Sequence, residues 1–210
     1  MKTTRDLSEP SLREAADIVR GGGVIAFPTE TFYGLGARPF DTRAVQRVVD
    51  LKDRSLRDAP ILVLIRSRAD LHTLVSEITP AAERLMEACW PGPVTLIFRA
   101  AEAVPSVLTA GTGTIGVRLP AHPDVQRLLE AVGGPLTGTS ANRSGQPPAT
   151  TAAEVERVLG DGVDTILNGG ATPGGLPSTV VDTTVTPPRL IREGRVPKAS
   201  LLSIINVMAA

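Results

Sequence analysis

Short apolar runs, each framed by glycine, proline or small polar residues, recur along this chain between amphipathic stretches. No other feature constrains the fold as tightly. Residues 24–27, 61–65, 94–98, 114–119 and 136–139 are too short for buried helices, so each reads as a buried strand. Between them, Leu12, Ala15, Ala16 and Val19 share one helical face, opened by the capping-box spacing Ser11-Leu12-Arg13-Glu14 and stopped by Gly21-Gly22-Gly23. Asp41 can cap a helix with Ala44, Val45, Val48 and Leu51 inward, and Thr79-Pro80 opens another that runs to Cys89. Further helices are predicted over 70–75, 124–132 and 152–159, and short strands over 165–167, 179–181 and 189–191. Trp90-Pro91-Gly92-Pro93 forces a break between helix and strand. This alternation predicts a twisted α/β sheet covered by helices, and the Gly/Pro-rich loop 169–177 predicts a wide surface cleft.

At 210 residues the chain suits one compact domain. Its 22 basic and 22 acidic residues cancel, which removes any global field favouring nucleic acid or an anionic membrane. Cys89 stands alone, so there is no internal disulfide, and His72 and His122 are too few for a histidine metal cluster. The polar N-terminus and the absence of any membrane-length apolar run point to the cytoplasm. Cys89, near Leu85 and Met86, reads as a core thiol rather than a nucleophile, and His122 before Pro123 as a helix-entry residue.

Candidate chemistry sits at strand ends. After the run 24–27, the segment Pro28-Thr29-Glu30-Thr31-Phe32-Tyr33-Gly34-Leu35-Gly36 reads as a loop displaying hydroxyls and an acid. Neither phosphate-binding glycine motif is present, because Pro39 occupies the place of the third glycine after Gly34-Leu35-Gly36. Lys52 and Arg54, at alternate positions, suit a polyphosphate, or equally a solvated charged turn with Asp50, Asp53 and Asp58 interleaved. Ser140-Ala141-Asn142 offers small donors and acceptors for phosphate or ribose, or forms an ordinary turn. Arg118, inside an apolar strand, demands an anion: Asp124 or Glu130 if the role is structural, a substrate carboxylate if it is functional.

Taken in order, several segments resemble the YrdC-like threonylcarbamoyl-AMP synthase family, in its single-domain form, over about residues 8–196. They are Pro28 through Gly36, Lys52-Asp53-Arg54, Trp90-Pro91-Gly92-Pro93-Val94-Thr95-Leu96, Gly116-Val117-Arg118-Leu119-Pro120, Thr139-Ser140-Ala141-Asn142, Ser178-Thr179-Val180-Val181-Asp182 and Ile191-Arg192-Glu193-Gly194. The segment 55–59 departs from the family pattern by running longer. The resemblance implies an open twisted mixed sheet with helices packed on it and a large concave cleft, followed by a tail over 197–210. It implies that ATP, L-threonine and bicarbonate become threonylcarbamoyl-AMP and pyrophosphate, with Mg²⁺ arriving on ATP and no protein-held metal. Lys52 and Arg54 would act on the phosphates; Thr114, Ser140, Asn142 and Arg192 would complete the ATP site; Thr31, Arg118 and Ser178 would hold threonine. The product would pass to tRNA-modifying transferase machinery, with weak tRNA binding by the chain itself left open. Two other readings are a non-catalytic RNA-binding module using the basic segment 38–68, and a related enzyme forming another carbamoyl-adenylate.

Overall fold

The computed structural model describes residues 3–53, 60–205 and 208–209. Its strands are β1 (Thr3–Arg5), β2 (Ile25–Phe27), β3 (Gly34–Gly36), β4 (Val63–Leu64), β5 (Val94–Arg99), β6 (Thr114–Arg118), β7 (Leu136–Thr137), β8 (Thr139–Ser140), β9 (Thr165–Leu167), β10 (Thr179–Asp182), β11 (Arg189–Arg192) and β12 (Met208–Ala209). The helices are α1 (Glu9–Arg20), α2 (Thr42–Leu51), α3 (Leu71–Leu74), α4 (Pro80–Cys89), α5 (Ser106–Thr109), α6 (Pro123–Val132), α7 (Ala152–Leu159) and α8 (Lys198–Leu202). The class is mixed α/β, as expected, but the strands divide between two mixed sheets. One has the order β1-β9-β2-β3-β8 and the other β12-β11-β10-β5-β6-β4-β7.

The division falls inside what the sequence presents as one strand. Residues 136–137 pair antiparallel with β4 in the larger sheet, whereas 139–140 pair antiparallel with β3 in the smaller one. Gly138 is the switch between them. Thr137 binds the sheets together: its hydroxyl donates to the Leu35 carbonyl at 2.8 Å and accepts from the Ala37 N–H at 2.9 Å. A Cβ at Gly138 would lie 2.5 Å from Cγ of Leu64, a fully buried side chain. Gly138→Ala is therefore expected to destabilise by about 1–3 kcal/mol through overpacking. Thermal unfolding checks this, and an unchanged midpoint would contradict it.

Two expectations need correction. Helix α1 starts three residues earlier than its capping-box spacing predicts, with Ser8 at the N-cap. Ser11 is buried within the first turns and donates its hydroxyl to Asp6 Oδ1 at 2.6 Å. Pro10 causes no break because the first helical turn has no use for its missing N–H. Residues 34–36, read as loop, form β3 antiparallel to β2. Glycine is required there, since a Cβ at Gly36 would stand 2.8 Å from the Phe27 ring.

The other helices follow their signals. Asp41 accepts from the Arg43 and Ala44 N–H groups, and Thr79 from that of Ala82. Leu12, Ala15 and Val19 of α1 join Val125, Leu128 and Leu129 of α6 in one apolar cluster. Each buried aliphatic side chain of that size contributes about 1.5–3 kcal/mol, enough to dock the two helices. The C-terminal segment is docked through buried Leu201, and β12 lies parallel to β11.

Candidate functional site

Where the two sheets meet, a cavity of about 660 Å³ opens, a size suited to small molecules. The smaller sheet contributes Gly34, Thr139 and Ser140, with Tyr33 at the entry to β3. The larger contributes Thr95, Gly116, Arg118, Val180 and Arg192. Seven sequence-predicted residues line it together: Thr31, Lys52, Arg118, Ser140, Asn142, Ser178 and Arg192. Thr114 does not; it sits at the outer start of β6, its hydroxyl 2.9 Å from that of Thr112. Arg54 and the segment 55–59 lie outside the described residues.

Arg118 is a buried cation with little internal compensation. It is 2% exposed, yet it makes no hydrogen bond among the described residues, and its Nε is buried without a partner. Its ion pair is with Glu30, Nε to Oε1 at 3.8 Å. This overturns the structural partners expected from sequence, because Asp124 accepts instead from Arg127 at 2.8 Å. Burial pulls the Arg118 pKa down, Glu30 opposes that, and the neighbouring Arg192 adds to it. A desolvated guanidinium with free N–H groups in a cavity is a receptor for an incoming carboxylate or phosphate.

Lys52 has a different standing. Its Nζ donates to Ser140 O at 2.6 Å, Asn142 O at 3.0 Å and Asn142 Oδ1 at 3.2 Å, three acceptors for an ammonium group's three protons. The residue is 4% exposed, which excludes a solvated charged turn. Asn142 is equally committed: its amide donates to Arg143 O and Gln146 O, both at 2.8 Å, and Oδ1 accepts from Ser140 Oγ at 2.5 Å. Lys52 and Asn142 thus hold the turn after β8 against the end of α2, placing a buried positive charge beneath the cavity floor.

On the opposite wall Arg192 donates to Ser178 O from Nε at 3.2 Å and from Nη2 at 2.9 Å. The Ser178 hydroxyl is 3.0 Å from that of Thr95, so a hydroxyl pair faces the cavity beside Arg118. Thr29 and Thr31 form a second pair at 3.1 Å. Tyr33, whose role the sequence leaves open, is fully buried and binds the loop over 169–177. Its hydroxyl donates to Gly170 O at 2.8 Å and accepts from Gly169 N–H at 3.2 Å. Gly174 N–H donates to Thr31 O at 2.9 Å, so this loop backs the threonine pair.

Sequence reasoning named neither Thr29 nor Thr95 as site residues, although both stand within the motifs it singled out. Their period-two relation to Thr31 and to the strand face is the signal that could have found them. Cys89 is partly buried and its pKa is raised by burial, as suits a packing thiol. Among the described residues no group of three or more His, Cys, Asp or Glu side chains could hold a metal ion, and no helix is long and apolar enough to cross a membrane.

Known proteins resemble this chain in sequence and in fold. A curated threonylcarbamoyl-AMP synthase of Pyrococcus abyssi is 41% identical over 200 residues, covering 95% of this chain and 58% of that protein. The chain therefore spans less than two thirds of that relative's length. The crystal structure of P. abyssi Sua5 complexed with L-threonine matches with a TM-score of 0.90 at 38% identity, covering 99% of this chain and 62% of the other. Escherichia coli YciO matches with a TM-score of 0.85 at 32% identity, covering 96% and 99%. The model of the Sua5/YciO/YrdC family, described as telomere recombination, matches residues 17–194. With the fold and the sequence in agreement, the chain belongs to the Sua5/YciO/YrdC family.

Proposed function

We propose that this domain is an L-threonylcarbamoyladenylate synthase, forming threonylcarbamoyl-AMP and pyrophosphate from ATP, L-threonine and bicarbonate. One observation carries the reading: a buried guanidinium, Arg118, without a hydrogen bond among the described residues, faces a cavity flanked by hydroxyl pairs and two further cations. An α-amino acid with a hydroxyl side chain matches that wall, its carboxylate on Arg118 and its hydroxyl near Thr31 or Ser178. The threonine-bound structure of P. abyssi Sua5 supports the same class of ligand.

The chemistry then asks little of protein nucleophiles. The threonine amine captures bicarbonate as a carbamate with loss of water, a carbamate oxygen attacks the α-phosphorus, and pyrophosphate departs. Catalysis of this kind rests on positioning and charge neutralisation. Lys52, Arg192 and, by family resemblance, Arg54 supply positive charge to the phosphates. Mg²⁺ would arrive with ATP and add positive charge at its phosphates. The product is a mixed anhydride, to be consumed by a transferase acting on tRNA.

A non-catalytic RNA-binding role for segment 38–68 has less support. Within it Arg47 pairs with Asp164 and Arg68 with Glu83, which reduces the free positive charge. Calorimetric titration with L-threonine, L-serine and L-valine tests the pocket. Serine, lacking one methyl, is expected to bind about 10-fold more weakly, and valine weaker still because it strands the hydroxyl-binding groups. Equal binding of threonine and valine would refute the assignment of the hydroxyl pairs.

A further inference from the structure

Glu30 lies between Thr29 and Thr31, yet it does not line the cavity. Both of its carboxylate oxygens are buried without a hydrogen-bond partner among the described residues. Such a group is costly to bury unless its charge is used. The nearby cation is Arg118, whose Nε, 3.8 Å from Oε1, is likewise buried and unpartnered. The backbone here is pinned on both sides: Glu30 O accepts from Arg195 Nη1 at 2.6 Å, and Thr31 O accepts from Gly174 N–H at 2.9 Å. The carboxylate is thus carried to the rear of Arg118 by a fixed turn, while Arg118 itself borders the cavity.

We propose that Glu30 is a positioning residue for amino-acid recognition: its carboxylate holds the Nε edge of Arg118 from behind, leaving the other guanidinium N–H groups to receive the substrate carboxylate. The inference rests on the amino-acid substrate proposed above. Arg192, contributed by the same sheet as Arg118, bears a charge that repels it, and Glu30 is the anion that offsets that repulsion.

The test is a double-mutant cycle read by calorimetric binding of L-threonine, with ATP binding as the internal control, on wild type, Glu30→Gln, Arg118→Met and the double variant. Glu30→Gln keeps the shape and removes the charge. It is expected to weaken threonine at least about 10-fold, as a misaimed guanidinium would, with ATP affinity held within about 2-fold. In the Arg118→Met background the same change is expected to alter threonine affinity by less than about 2-fold, since the group it acts through is gone. Glu30→Asp, which keeps the charge on a shorter arm, is expected to fall between, and it carries the test if Glu30→Gln does not fold. Wild-type-like threonine binding by Glu30→Gln, or an equal loss in the Arg118→Met background, overturns the proposal while leaving the proposed substrate standing. ATP binding without threonine binding by the wild type overturns both.

Discussion

Arg118→Met is expected to weaken L-threonine binding by at least about 100-fold, since truncating one partner of a buried charged contact costs roughly 2–5 kcal/mol. The same change leaves the Glu30 carboxylate buried with no counter-charge, which destabilises the fold by up to about 3 kcal/mol, the low end for a broken buried pair because the 3.8 Å contact is not hydrogen-bonded. The two effects separate experimentally. ATP affinity reports whether the rest of the proposed site is intact, and thermal unfolding reports the fold. A variant that loses threonine and ATP binding together would show Arg118 to be structural. A variant that keeps threonine binding would remove the carboxylate receptor from the account.

Lys52→Ala produces the second large effect, and here stability and activity fall together. The ammonium is the donor to Ser140 O, Asn142 O and Asn142 Oδ1. Its removal strands acceptors in a nearly closed site, at about 1–3 kcal/mol for each one left unsatisfied. With some acceptors recovering water, a net loss of about 3 kcal/mol lowers the unfolding midpoint by roughly 6–12 °C in a domain of this size. ATP-dependent turnover is expected to drop by more than about 100-fold, because the turn after β8 loses its anchor and the cavity loses the positive charge proposed to serve the phosphates. Full activity with a lowered midpoint would make Lys52 a structural tether only.

Much of this site is legible in sequence because it is built from strand ends. The residue pattern puts Thr31, Arg118 and Ser178 in or beside strand ends, the family resemblance joins them in one site, and the structure gathers them as lining residues. What period and propensity do not encode is the partition of strands. The run 136–139 reads as one strand, and only the contact of Gly138 with Leu64 shows why the chain changes sheets there. The strand status of residues 34–36 is hidden for a similar reason. Glycine weakens strand propensity, and the Phe27 ring that requires it lies across the ladder rather than alongside in sequence.

Sequence offers Asp124 or Glu130 as the internal partner of Arg118, and the structure supplies Glu30 instead. Asp124 is near in sequence but belongs to a helix surface and pairs with Arg127, whereas Glu30 arrives from 88 positions away through the meeting of the two sheets. Lys52 reads from sequence as a grip on polyphosphate or as part of a solvated charged turn, and its burial follows from the turn that docks on it, a contact invisible to local pattern. In both cases the residue type announced an electrostatic demand, and tertiary structure decided which group meets it.

The central claim is that one cavity activates a threonine-derived carbamate with ATP. Pyrophosphate release by the purified chain, measured with ATP and Mg²⁺ while L-threonine and bicarbonate are omitted in turn, tests it most directly. The account predicts release only when both are present, with threonylcarbamoyl-AMP formed in equal amount. Release that is independent of threonine, or no release with all substrates present, would contradict it.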